Sequence, residues 1–164
     1  QMSGFQVEET GQSFIENSRI KALAACQASG KCCLADDSGL CVEALNGAPG
    51  VYSSRYASSD EERINRLLRE LSGSKNRRAC FLASLCIASP HKGVLLEVEG
   101  KCEGVITNSP RGLNGFGYDP VFEVLNTNKT FAEMTRIQKQ NIGHRGRAFE
   151  LLKPSLEKIM PDLA

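Results

Sequence analysis

The run Lys31–Asp36 is apolar at Cys32, Cys33, Leu34 and Ala35, and it delivers two adjacent carboxylates, Asp36 and Asp37, straight into Ser38-Gly39. Such a run predicts a short buried strand. A strand that ends in acidic groups beside small residues can present oxygen ligands to a hard cation such as Mg²⁺. Side chains alternate between the faces of a strand, so the two aspartates cannot point the same way. One can aim at a metal or a water while the other is held by structure. A Gly-Ala-Pro-Gly turn at 47–50 leads into Tyr52, Ser53, Ser54 and Arg55, a polar run able to hydrogen-bond and to offer a planar cation. Taken alone, Asp-Asp before Ser-Gly is more often a solvated turn or a helix cap than a metal site.

The rest of the chain surrounds this stretch with alternating helix and strand signals. Ser13-Phe-Ile-Glu16 has the form of a capping box, which predicts a helix over about 14–29 ended by Gly30. Asn17 and Lys21 lie four apart on one face of that helix. Leu40 to Leu45 reads as a second strand. Asp60-Glu-Glu opens an amphipathic helix with Ile64, Leu67, Leu68 and Leu71 on its apolar side. Longer β runs at 79–89 and 94–106 flank a Pro-His-Lys-Gly turn, 121–124 is a short strand, and helices at about 132–141 and 145–160 close the chain. The 164 residues suit one domain. These elements predict an α/β fold with a mixed, twisted central sheet flanked by helices.

Composition removes several functions. Net charge is +1, which gives no bulk attraction to a nucleic acid polymer or an anionic membrane. No segment approaches the ~18 apolar residues of a membrane span. The seven cysteines are odd in number, include no Cys-x-x-Cys pair and sit mostly in apolar runs. They read as buried thiols of a reducing, cytoplasmic setting. Gln1 precedes Met2, so either Gln1 is a tag remnant or the chain is a fragment.

Three further places gather polar groups on tight backbone. Gly115-Phe-Gly-Tyr-Asp-Pro120 sets Phe116 and Tyr118 beside glycines that allow close approach to a ligand. Those rings either stack on a base or pack in the core. Lys139, His144 and Arg145 are three cations or cation formers within seven residues, able to bind phosphate or a purine carbonyl oxygen. The plainer reading of His-Arg at a helix start is a solvated cap. Glu9-Thr-Gly adds a carboxylate near the first helix.

The ordered set is far more specific than its parts. Glu9-Thr-Gly, Phe14-Ile-Glu-Asn17 with Lys21, Ala35-Asp-Asp-Ser-Gly39, Gly47-Ala-Pro-Gly-Val-Tyr-Ser-Ser-Arg-Tyr56, Phe116-Gly-Tyr-Asp-Pro120, Thr130-Phe-Ala-Glu-Met134 and His144-Arg-Gly146 occur in that order. Together they closely resemble the inosine/xanthosine triphosphate pyrophosphatase family, from about Glu8 to the carboxyl terminus. The resemblance implies Mg²⁺-dependent hydrolysis of deaminated purine nucleoside triphosphates (ITP, dITP, XTP) to the monophosphate and pyrophosphate. It also implies a homodimer and an active site in a cleft between two lobes. By position, Asp37 corresponds to the catalytic, metal-side acid, with Glu9 as a second metal-side carboxylate. Asn17, Lys21 and Ser38 correspond to groups near the triphosphate. Phe116, Gly117, Tyr118 and Asp119 resemble the base-holding loop, and Lys139, His144 and Arg145 the groups that recognise the 6-oxo purine.

Two departures stand out. Gly143 replaces the serine usual before His144 in bacterial relatives, and the family's opening strand and Thr/Ser-Gly-Asn-x-x-Lys phosphate loop have no counterpart in the chain. The expectation is therefore an amino-terminally truncated single domain over 1–164. It is either an active, weakened enzyme or a nucleotide-binding or dimeric protein that kept the fold. A phosphatase acting on other small phosphates is the third reading.

Overall fold

The computed structural model describes residues 7–163, with side chains through 159. Gln1, expected to be a tag remnant unless the chain is a fragment, lies outside the described residues.

Local signals set the first helix, α1 (Phe14–Ser29). Ser13 caps it by accepting from the Glu16 amide, and Gly30 ends it at φ 67° with its N–H on the Cys26 carbonyl. The Glu16 carboxylate reaches back to the Gln12 amide at 2.7 Å, one residue earlier than a standard capping box. Phe14, Asn17, Ser18, Ala22 and Cys26 form the buried stripe.

Strand β1 (Cys33–Val42) is one continuous strand through Asp36, Asp37, Ser38 and Gly39, where sequence reasoning ended one strand and began another. Gly39 is a site of close approach rather than a turn. A Cβ there would lie 2.4 Å from Ser53 Oγ, and that hydroxyl accepts from the Leu40 amide at 2.9 Å. The 3₁₀ segment Gly50–Arg55 is thereby pressed against the strand.

The sheet is completed by β2 (Arg78–Ser89), β3 (Gly93–Ile106) and β4 (Phe122–Val124), in the order β1-β2-β3-β4. Every pairing among the described residues is antiparallel, so the expectation of a mixed sheet is corrected. The tight turn between β2 and β3 permits only an antiparallel hairpin, since parallel neighbours need a crossover of a dozen or more residues. Between β1 and β2 runs α2 (Asp60–Glu70), capped by Ser59.

The pleat sorts side chains onto two covered faces. Ala35, Cys86 and Ala88 meet Ala22 and Cys26 of α1. On the other face Ala83, Leu85 and Ile87 meet Ala148 and Leu152 of α4 (His144–Leu163). Farther along that second face Leu40, Val42, Phe81 and Phe122 join Ile64 and Leu67 of α2, its C-cap Leu71, and Phe131 in the main core. Gly100 lets α4 lie directly on β3: a Cβ would stand 2.1 Å from the His144 carbonyl oxygen and 2.4 Å from the Ala148 nitrogen.

Where one helix was expected over 132–141, a 3₁₀ turn at Phe131–Glu133 precedes α3 (Arg136–Ile142). Two capping boxes in succession, Thr130/Glu133 and Thr135/Gln138, open the two elements separately. No disulfide joins any of the seven cysteines, and Cys26, Cys86 and Cys102 are buried. No helix among the described residues is long and apolar enough to cross a membrane.

Candidate active site

Strand periodicity sends Asp37 toward α1 and Asp36 toward α4. On the α1 side, Lys21 Nζ donates to Asp37 Oδ1 at 2.7 Å and to Glu9 Oε1 at 3.0 Å. Arg55 lies 3.4 Å from the other oxygen of Glu9. Asp37 is 9% exposed, and its Oδ2 is buried without a hydrogen-bond partner. Burial pushes the Asp37 pKa up, and Lys21 opposes the rise only in part. Burial likewise opposes the Lys21 ammonium, but the hydrogen bonds it donates to Asp37 and Glu9 outweigh it and leave its pKa raised. A carboxylate held anionic by a lysine, yet made more basic by desolvation, has the character of a general base.

Asn17 is fully buried. Its Oδ1 accepts from the Gly11 amide at 2.8 Å, which holds the Glu9-Thr-Gly segment against α1, while its Nδ2 makes no full hydrogen bond but interacts with Asp37 and lowers that carboxyl's pKa. The structure thus places Asn17 behind the carboxylates rather than on the open surface.

On the opposite face of β1, Arg145 donates from Nε to Asp36 Oδ2 at 2.6 Å and from Nη2 to Ser38 Oγ at 2.6 Å. Arg145 also lines a cavity of about 1360 Å³, together with Phe116, Met134, Lys139, His144 and Phe149. Glu9, Lys21 and Asp37 lie outside that cavity, on the opposite face of β1, and from the cavity side Arg145 bonds to Ser38, the residue next to Asp37.

The glycine-rich loop contributes an exposed ring and a buried anchor. Phe116 is 65% exposed, whereas Tyr118 is 3% exposed and donates its hydroxyl to the Ser53 carbonyl at 2.9 Å. Of the two rings, Phe116 is therefore the one free to stack on a base. Asp119 is buried, accepts from the Phe116 amide at 3.0 Å and pairs with Lys139. Lys139 Nζ also lies 4.9 Å from the Phe116 ring centroid. Gly117, at φ 60°, donates its amide to Asp60 Oδ2 at 2.6 Å. Asp60 was read from the sequence only as the opening of α2, and nothing local reveals its long-range bond.

His144 is not the cation that its position in the sequence suggests. It is 4% exposed and stacks on Phe81 with centroids 4.8 Å apart. Burial, with Arg145 and Lys139 nearby, pushes its pKa down to about 3, and its Nδ1 has no partner. It stands in the cavity wall as a neutral imidazole.

No group of three or more His, Cys, Asp or Glu side chains is arranged to hold a metal among the described residues. Glu9 and Asp37 remain as a pair of hard oxygen donors, and the orphaned Asp37 Oδ2 is the atom that lacks a partner. That donor set fits Mg²⁺, which protein sites typically bind through one or two carboxylates, with waters and substrate phosphates completing the shell.

Known proteins resemble this chain in sequence and fold. A dITP/XTP pyrophosphatase of Prochlorococcus marinus (strain MIT 9313) is 64% identical over 154 residues, which are 94% of this chain and 76% of the relative. One from Synechococcus sp. (strain CC9311) is 62% identical over 160 residues, 98% of this chain and 78% of the relative. Among solved structures, a HAM1 protein from Coxiella burnetii superposes with TM-score 0.89 at 44% identity, covering 93% of this chain and 80% of that one. The Staphylococcus aureus Ham1 protein does so with TM-score 0.90 at 44% identity, covering 94% and 82%. Residues 1–155 match the Ham1 family directly, and the chain belongs to that family.

Proposed function

We propose that this chain hydrolyses deaminated purine nucleoside triphosphates, ITP, dITP and XTP, to the monophosphate and pyrophosphate. The observation that carries the reading is Asp37: desolvated, held by Lys21 beside Glu9, and left with an Oδ2 that makes no hydrogen bond. Relatives named dITP/XTP pyrophosphatase support it.

Asp37 takes a proton from the attacking water, a task for which a raised pKa is suited. Lys21 keeps Asp37 anionic and offsets phosphate charge, and Ser38, on the other face of β1, holds Arg145 and has a hydroxyl proton left to offer the substrate. Asn17 supports the carboxylate pair from behind. Phe116 stacks on the purine, while Asp119 and the Gly117 amide fix the loop that carries it and Tyr118 roots that loop in the core. Lys139 and Arg145 donate toward the 6-oxo oxygen, where adenine would present an amino group. Neutral His144 adds one ring donor and one ring acceptor. Glu9 and Asp37 would hold Mg²⁺, which supplies charge neutralisation of the triphosphate and orientation of water when bound.

The same reading makes the chain a single pyrophosphatase-like domain that works as a homodimer in the cytoplasm. The cysteines, none of them in a disulfide, support that compartment, and Tyr52, 63% exposed in the 47–56 segment, supports that interface. The test is a panel of ITP, dITP, XTP, GTP and ATP with Mg²⁺ or with chelator, read as pyrophosphate and monophosphate. Metal-dependent pyrophosphate from the deaminated substrates, well above that from ATP, is expected. Orthophosphate as the product, or equal rates on ATP, would refute it.

A further inference from the structure

Arg145 is held more firmly than contact with a base requires. It is the second residue of α4, and the start of that helix is fixed against β3 by the backbone contact at Gly100. Its Nε is 2.6 Å from Asp36 Oδ2, and its Nη2 is 2.6 Å from Ser38 Oγ and 3.5 Å from Asp36 Oδ1. Nη1 makes no hydrogen bond among the described residues. Asp36 itself does not line the cavity.

Charge decides what such a guanidinium can do. A lone arginine beside a triphosphate is drawn to phosphate oxygens, since bidentate phosphate binding is the strongest contact it can make. A carboxylate on its Nε and Nη2 edge blocks that fork geometry and offsets its charge. The remaining Nη1 edge is left as a fixed donor for a neutral acceptor, and a ring carbonyl oxygen is one. We infer that Asp36 is a positioning residue for base selectivity, acting through Arg145 by turning a phosphate-seeking cation into a reader of the 6-oxo group. This rests on the proposed function and deepens it, because it assigns a task to the acidic neighbour of Asp37 that faces away from the carboxylate pair.

The test is equilibrium binding of inosine monophosphate and adenosine monophosphate, followed by calorimetry on the full chain. The variants are Asp36→Asn, Asp36→Ser, Asp36→Glu, Arg145→Ala and the Asp36→Asn/Arg145→Ala double. Asp36→Asn and Asp36→Ser are expected to lose roughly tenfold of the inosine preference, the scale of one charge-assisted contact, with adenosine monophosphate binding unweakened. Asp36→Glu should restore much of the preference, and the double variant should be no worse than Arg145→Ala alone, since both act through one contact. A preference unchanged in Asp36→Asn or Asp36→Ser, or losses that add in the double, would overturn the inference and leave the proposed function standing. A parent protein with no preference would instead remove base-selective binding itself, and the inference with it.

Discussion

His144 makes the acid stability of this protein depend on a buried imidazole. Its pKa falls from an ordinary 6.5 to about 3 in the folded chain because burial against Phe81 disfavours the cation. The unfolded chain binds a proton at that histidine below about pH 6.5, while the folded chain refuses it until about pH 3. Stability from this group is therefore complete above the unfolded value and is lost as pH falls from there toward the folded one. At about 1.4 kcal/mol per unit, the loss between about pH 7 and about pH 5 amounts to about 2 kcal/mol. Glu70 and Glu97 have lowered pKa values and withdraw stability only at lower pH, below the ordinary carboxylate value. Asp37, with its raised pKa, acts in the opposite sense, and its contribution is common to parent and variant. Urea unfolding of the parent and of His144→Gln at both pH values isolates the effect. The parent should lose about 2 kcal/mol more than the variant over that interval. Parallel losses in the two proteins would show that His144 titrates normally and that its burial does not govern its charge.

Arg145→Ala should lower the preference for ITP over ATP in kcat/KM by roughly tenfold or more, and an unchanged ratio would move base recognition to the backbone of 116–119. Gly100→Ala forces a methyl into the backbone of α4, so it should cost about 3 kcal/mol, seen as a fall of about 6–12 °C in Tm for a domain of this size. Light scattering at micromolar concentration should give twice the chain mass, and Tyr52→Asp should shift the population toward monomer.

The elements that the sequence marked locally are the ones it placed well. Ser13 and Gly30 delimit α1 because a cap and a left-handed glycine act within one turn. The opposed directions of Asp36 and Asp37 follow from the pleat alone, and Lys21 on one side and Arg145 on the other bear them out. What was illegible depended on distant partners. Gly39 looked like a turn because Ser53, which explains it, lies fourteen residues later in sequence. The antiparallel sheet is a matter of which strands meet, and side-chain periodicity carries no information on that. His144 looked like a cation because its shield, Phe81, belongs to a different strand. Tyr118 looked as accessible as Phe116 until the fold brought Ser53 to its hydroxyl.

Asp37 carries the central claim, and turnover of ITP with Mg²⁺ by the parent and by Asp37→Asn tests it most directly. The amide keeps the shape and the Lys21 contact but cannot accept a proton. The parent should release pyrophosphate and inosine monophosphate in equal amounts, and Asp37→Asn should lower kcat by about 10²-fold or more while its fold is retained. Near-parent turnover by Asp37→Asn, or its abolition by Asp36→Asn instead, would contradict the account.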